Sequence, residues 1–337
     1  MQEDWGQLRQ LVMGFRDTQL IYVAAKLGLA DEIARKPQTA SELATTAGAE
    51  PRALYRLLRA LASRGVFAES SGGRFEMTPM AEFLRRDGPR SLHSTAMLYG
   101  DELLWRAYGR LSYSIETGTS SFEQVYGEPF YDHLHKHPVA AQPFHDAMTG
   151  FSEQEEAAIL AAYDFSTLRS VVDVGGGQGG LALALLRKHA DLRAVIFDGT
   201  PPREDTRQSF AQSGADARAT FVTGDFFTSV PDGGDLYLLK SILHNWDDAA
   251  ALAILRKCRE AMPALSRLLV AERVIPLGNS ASEAKLFDIN MLVSLGGQER
   301  TEEEYVSLFH QSGLKLTRTI PTTSHLSLIE TVPMAHG

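Results

Sequence analysis

Residues 171–180 read VVDVGGGQGG and run into LALALLRKHA at 181–190. An apolar, strand-like run ends on an acid, Asp173. Glycines follow, and then a helix-like run opens. Glycines let the backbone turn sharply and come close to a ligand, and the N–H groups of the new helix face outward. Strand, glycine turn and helix are the arrangement a nucleotide-like cofactor requires, and they mark the region as α/β. The plain alternative is a glycine-rich turn with no ligand. Gly175, Gly177 and Gly180 satisfy the dinucleotide spacing G-x-G-x-x-G. The acids downstream have to decide which cofactor is meant.

Outward from the turn, the next strand-like run is Arg193–Phe197, ending at Asp198. An acid at the tip of the second strand accepts both hydroxyls of a ribose. NAD and S-adenosylmethionine (SAM) both carry a ribose, so Asp198 does not choose between them. The third run, Ala219–Thr223, leads into Gly224-Asp225-Phe226-Phe227. A carboxylate followed by an aromatic suits adenine: Asp225 accepts from the exocyclic amine while Phe226 packs on the ring. The fourth run, Asp235–Leu239, leads to the segment 240–248, KSILHNWDD. Strand and helix alternate through 165–337, the pattern of a doubly wound parallel sheet. Two last runs, Leu314–Ile320 and Leu326–Thr331, are joined by a tight connection and predict an antiparallel hairpin.

The glycine turn also reads D-x-G-x-G-x-G over Asp173, Gly175, Gly177 and Gly179, which resembles the first motif of SAM methyltransferases. GDFF…DLYLLKSILHNWDD, with VVDVGGGQGG before it and LLVAERVIP and GGQERTEEEY after it, resembles the small-molecule O-methyltransferases. Plant caffeic-acid and isoflavone enzymes belong to that family, as do bacterial enzymes that tailor polyketides and phenazines. The resemblance extends over essentially the whole chain, and K-x-x-x-H-[DN]-W-x-D is its most specific part. It implies a class I methyltransferase fold: a Rossmann-like doubly wound sheet with a C-terminal antiparallel hairpin, preceded by a mostly helical, winged-helix-like dimerisation domain. SAM is then the cofactor and S-adenosylhomocysteine the product, held by Asp173, Gly175, Gly177, Asp198, Asp225, Phe226 and Lys240. The acceptor is a small aromatic hydroxyl compound, lined by Phe144, Met148, Phe151, Asn245, Asn290, Met291 and Ser294.

Methyl transfer from a sulfonium is an in-line displacement, and the acceptor must lose a proton. His244 is the candidate base, just past the end of the fourth strand, where open α/β sheets place ligands. A phenol of pKa near 10 and an imidazole near 6.5 leave proton transfer uphill by about 3.5 units, roughly 5 kcal/mol. A carboxylate on the far ring nitrogen reduces that gap by stabilising imidazolium. Glu272, at the end of the fifth strand, and Glu299, in GGQERT, match the two acids that flank the base in the family. The family often has Asp after the base; this chain has Asn245, which hydrogen-bonds but carries no charge. A fold relative with another chemistry is the alternative reading: N- or C-methylation, hydroxylation, decarboxylation or a pericyclic step. Relatives that changed chemistry tend to lose the base, and His244 is present.

Residues 1–90 read as helices followed by a short hairpin, the order of a winged helix. Gly28 interrupts an apolar helical run. Thr39 and Glu42 form a capping box, and Pro51 opens a helix striped by Leu54, Leu57, Leu58 and Leu61. Arg52, Arg56, Arg59 and Arg64 near it, the first three on the side opposite the leucines, raise a DNA-binding reading, against which the resemblance sets a homodimer. Residues 91–160 read as a helical linker and substrate-pocket region, with Phe144, Met148 and Phe151 on one helix face. Residues 161–337 read as the SAM-binding catalytic domain.

The chain has 337 residues, 44% hydrophobic, with a formal charge of −9. That size suits one large domain and a smaller one. The negative charge argues against nucleic-acid binding, where phosphate contacts dominate. The single cysteine, Cys258, lies in a helical pattern and reads as a buried small hydrophobe. The start, MQEDWGQLRQ, is unlike a secretory leader, and no apolar run approaches a membrane span. A cytoplasmic enzyme is expected. His133, His135 and His137 do not share one helix face, so no metal site is expected there.

Overall fold

The computed structural model describes residues 2–88 and 90–335. Two compact units emerge, one of residues 1–110 with 131–150, the other of 111–130 with 151–337. The helices between 91 and 160 are divided between them.

In the first unit the apolar run around Gly28 forms two helices, Phe15–Lys26 and Leu29–Arg35. Gly28 has φ +65°, a left-handed conformation that turns the chain between them. Thr39 and Glu42 form a reciprocal capping box at the start of Ala40–Ala47. Pro51 opens the helix Pro51–Ser63, which buries Leu54, Leu58 and Leu61 and leaves Arg52, Arg56 and Arg59 exposed. The hairpin of Phe67–Ser70 and Arg74–Met77 follows, and Gln38–Thr39 adds a third strand to it. Helix, helix and wing are thus as the sequence reads.

The second unit is built on a seven-stranded sheet. Across it run Ala219–Thr223, Arg193–Asp198, Ser170–Val174, Leu236–Lys240, Arg267–Glu272, Ser327–Pro333 and Leu314–Pro321. The first five strands are parallel; Ser327–Pro333 is antiparallel to both of its neighbours. Side chains alternate between the two faces. Leu236 and Leu238 join one core with Leu181, Leu185 and Phe210, while Tyr237 and Leu239 join the other with Leu255, Tyr305 and Phe309. Cys258 is buried in that second core, where burial pushes its thiol up to about 12. Because the first five strands are parallel, Asp173, Asp198, Asp225, Lys240, His244 and Glu272 all fall at or just beyond one edge, that of the strand C-termini. Among the described residues, no helix is long and apolar enough to cross a membrane.

Candidate active site

The strand Leu236–Lys240 ends in Ser241, which has φ +55°. A left-handed non-glycine residue is strained, and such strain gathers at functional sites. The chain then makes a single 3-10 turn, Leu243–Asn245, that carries His244. Glu272 holds this turn from below: its Oε1 accepts the backbone N–H groups of Ile242 at 2.9 Å, Leu243 at 2.8 Å and His244 at 3.4 Å. The segment after helix Glu283–Leu295 holds it from the side. Gln298 donates its N–H to the His244 carbonyl at 2.9 Å. A Cβ at Gly297 would collide with that carbonyl, so the close approach requires glycine there. Arg300, fully buried, donates to the carbonyls of Leu243 at 3.0 Å and Trp246 at 2.9 Å and pairs with Asp248 at 2.9 Å.

Inside this frame the Nδ1 atom of His244 lies 2.9 Å from Oε1 of Glu299 and 3.4 Å from Oε2 of Glu272. All three residues are buried. Burial pulls the imidazole pKa down, but the two carboxylates outweigh it and hold His244 above its ordinary value. Burial beside Glu299 pushes Glu272 up in turn, against the pull of His244 and the backbone N–H groups. Both acids face the same ring nitrogen, Glu299 within hydrogen-bond distance. The neutral ring therefore carries its proton on Nδ1 and offers the Nε2 lone pair. Donor atoms of the three residues lie within 4.8 Å of one another. Three N–H groups already point at Oε1 of Glu272, and Nδ1 faces the acids. The Arg273 guanidinium is 3.8 Å from Glu299 and lies 3.7 Å over the Phe287 ring, which is near-parallel to His244 at 6.1 Å.

Phe287 lies on the helix Glu283–Leu295 with Asn290, Met291 and Ser294 at i+3, i+4 and i+7, one continuous face. Asn290, Met291 and Ser294 are buried, and the Ser294 hydroxyl has no hydrogen-bond partner among the described residues. Asn245 donates its amide to the Ser241 carbonyl at 3.3 Å. Of the aromatic stripe on the helix Pro138–Ala162, Phe144 and Met148 belong to the first unit, and Phe151 to the second. There it meets His325 edge-on at 6.3 Å.

The glycine turn fits a nucleotide cofactor with a cationic end. Gly177, at φ +55°, faces open space where a Cβ would meet nothing. Asp198 accepts the Gly177 N–H on Oδ2 at 2.9 Å and the Thr200 N–H and hydroxyl on Oδ1 at 2.9 and 2.8 Å. Asp173 is buried below the turn, and burial pushes its carboxyl up to about 7. Burial does the same to Glu156, also to about 7, whose carboxylate reaches Gly180. A cation beside these two groups would stabilise their charged forms. A Cβ at Gly175 would strike Ile242, tying the glycine turn to the His244 turn. Asp225 accepts from the Phe227 N–H, and Phe226 and Phe227 pack edge-on against Trp246 at 6.2 and 4.9 Å.

Lys240 is mostly buried: its ammonium is 2.9 Å from Glu155 and 3.2 Å from the Ser152 hydroxyl. Burial opposes ionisation of Glu155, yet His325, Lys240 and Arg273 hold it at about 2. Ser152, Glu155, Arg273, Phe287 and Arg300 were not singled out by sequence reasoning. Only Arg273 and Arg300 had a signal, each directly following a candidate acid.

Comparison with known proteins shows the family of the chain. The model of the O-methyltransferase domain matches residues 108–315, and that of the O-methyltransferase dimerisation domain matches residues 9–87. A phenazine O-methyltransferase of Lysobacter antibioticus is 42% identical over 97% of this chain and 96% of its own. The O-demethylpuromycin O-methyltransferase of Streptomyces alboniger is 39% identical over 96% of this chain and 88% of its own. The solved mitomycin 7-O-methyltransferase superposes with a TM-score of 0.91 at 34% identity over 98% of both chains. Structural relatives include an O-methyltransferase of neocarzinostatin biosynthesis solved with SAM and a hydroxynaphthoic acid. Relatives also include a phenazine-1-carboxylate N-methyltransferase of Pseudomonas aeruginosa.

Proposed function

The chain belongs to the SAM-dependent small-molecule O-methyltransferases with an N-terminal dimerisation domain, and on that premise we propose that it methylates a hydroxyl of a small aromatic metabolite with His244 as the general base. The observation that carries this reading is the buried imidazole whose Nδ1 faces Glu299 at 2.9 Å and Glu272 at 3.4 Å. When bound, SAM supplies a methyl group on a cationic sulfur. With cofactor and acceptor in place, Nε2 of His244 would take the hydroxyl proton of the acceptor. The imidazolium that results is stabilised on Nδ1 by Glu299 and Glu272, which shrinks the roughly 5 kcal/mol deficit of an unassisted imidazole. Asp198 would hold the ribose and Asp225 the adenine amine, with Phe226 packing on the ring. Asp173, Gly175 and Gly177 would shape the cradle, with Lys240, held by Ser152 and Glu155, beside it. Phe287, Asn290, Met291 and Ser294 line the acceptor side together with Asn245 and Phe151.

The protein acts as a homodimer built by its N-terminal domain. Trp5, Leu8, Leu11, Val12 and Phe15 are all more than half exposed on or next to the first helix, an apolar strip suited to a second copy. N-methylation is the second reading, because relatives of that activity exist. The buried histidine–carboxylate pair favours oxygen, since a neutral amine attacks with its own lone pair. Incubation with SAM and a panel of phenols and aromatic amines, read by mass spectrometry, tests the assignment. A gain of one methylene unit on phenols and none on amines is expected; transfer to amines alone overturns it.

A further inference from the structure

The His244 site holds two carboxylates for one imidazole. Glu272 and Glu299 side chains are both 0% exposed. Left to themselves, two buried anions would hold imidazolium so firmly that the ring would make a good ion pair and a poor base. A third charge stands beside them. Arg273 is 7% exposed, its NH1 lies 3.8 Å from Oε1 of Glu299, and its guanidinium rests 3.7 Å over Phe287, the ring near-parallel to His244. Stacking and burial keep it at the site, and a guanidinium stays charged at any working pH.

We propose that Arg273 is the positioning residue that keeps His244 a usable base: it neutralises one of the two carboxylates, so that the imidazole meets the field of a single anion. This deepens the reading of His244 as the base and rests on it. The other charged and titratable groups around the ring do not replace Arg273. Arg300 directs its donors to Leu243, Trp246 and Asp248. Asp288 accepts the Glu299 N–H, and the buried Tyr305 phenol senses both acids; these add negative or neutral character only. Glu155 also senses Arg273 but is paired with Lys240 and His325. Arg273 opposes the two acids and pulls the His244 pKa down, consistent with the geometry.

The test combines Arg273→Met, Arg273→Gln and Arg273→Lys in the full-length enzyme. His244 is titrated by NMR, its ring signals assigned by their loss in His244→Gln. In parallel, kcat/KM on a neutral phenol is measured across pH. With Arg273→Met or Arg273→Gln, the His244 midpoint should rise by about 1 unit. The acid limb should move with it, giving about tenfold lower rates below the midpoint and near-normal rates above it. Arg273→Lys, which restores the charge, should lie between these and wild type. An unmoved His244 midpoint, or a loss of rate uniform across pH and not rescued by Arg273→Lys, overturns the proposal. A midpoint that moves while the rate profile stays put upholds the charge-offsetting effect of Arg273 on His244 and sinks the reading of His244 as the base.

Discussion

Nδ1 of His244 lies 2.9 Å from Oε1 of Glu299, although 55 residues separate them in the chain. The contact is made because the strap 297–300 is tied to the His244 turn at both ends. The Gln298 N–H and the Arg300 guanidinium bond to carbonyls of the turn. The imidazole is thus held through Nδ1, and on the proposed reading Nε2 faces the acceptor. His244→Ala should lower kcat by about 10²–10⁴ and leave SAM affinity nearly intact. Near wild-type turnover of a neutral phenol by this variant would put the base elsewhere.

The pH profile has a definite sign. Glu272 and Glu299 outweigh burial and raise the folded-state pKa of His244 above 6.5. The protonated ring therefore adds stability below the unfolded value, and that stability is lost as pH rises through the folded value. On the proposed reading the same deprotonation makes the base, so kcat/KM on a neutral phenol should climb through a midpoint above 6.5. Glu299→Gln removes one anion and should shift the acid limb to lower pH while lowering the plateau. Rate measurements from pH 5 to 10 in wild type and variant decide this; a shift to higher pH contradicts it.

Asp198→Ala should weaken SAM binding by about 1.5–3 kcal/mol, the scale of hydrogen bonds to a charged group. Part of the loss comes through the cradle itself, since Asp198 holds the N–H groups of Gly177 and Thr200. Calorimetry that finds unchanged SAM affinity, or tight NAD binding, rejects the assignment.

Asp173 gives a stability prediction. Its folded pKa stands at about 7, raised from 3.8 by burial. A carboxyl that is harder to ionise in the fold costs stability as pH rises from about 4 to about 7, by at most roughly 4 kcal/mol. Asp173→Asn removes that cost. Without cofactor, the variant should melt above wild type at pH 8, with the gap closing by pH 4, while SAM binds more weakly. Thermal scans showing no pH-dependent gap argue against a buried ionised acid.

The apolar strip of the first helix predicts assembly. Leu11 is 78% exposed and Trp5 67% exposed. The pair Trp5→Ser with Leu11→Glu should give a monomer in sedimentation equilibrium and reduce turnover. A dimer of unchanged stability would place the interface elsewhere.

Much of this was legible in the sequence because it rests on local rules. Period-two strands, the glycine turn, the Thr39–Glu42 capping box and the hairpin at Gly72-Gly73 each depend on neighbours a few residues away. The acids Asp198 and Asp225 could be placed because parallel strands bring their C-terminal ends to one edge, whatever the details of packing. The family resemblance supplied the pairing of His244 with Glu272 and Glu299, which no spacing reveals.

Tertiary structure alone decided how those groups act on one another. Both acids converge on a single ring nitrogen instead of flanking the ring. Lys240 turns inward to Glu155, and Arg273 lies against Phe287 beside Glu299. These are contacts between segments far apart in the chain, formed where burial removes water. There an unpaired charge is costly, so each must find its partner through space. The amino-acid sequence determined the strands, the turns and the kinds of side chain at the sheet edge. Only packing in a low-dielectric interior determined which charge offsets which, and therefore which nitrogen of His244 is free to take a proton.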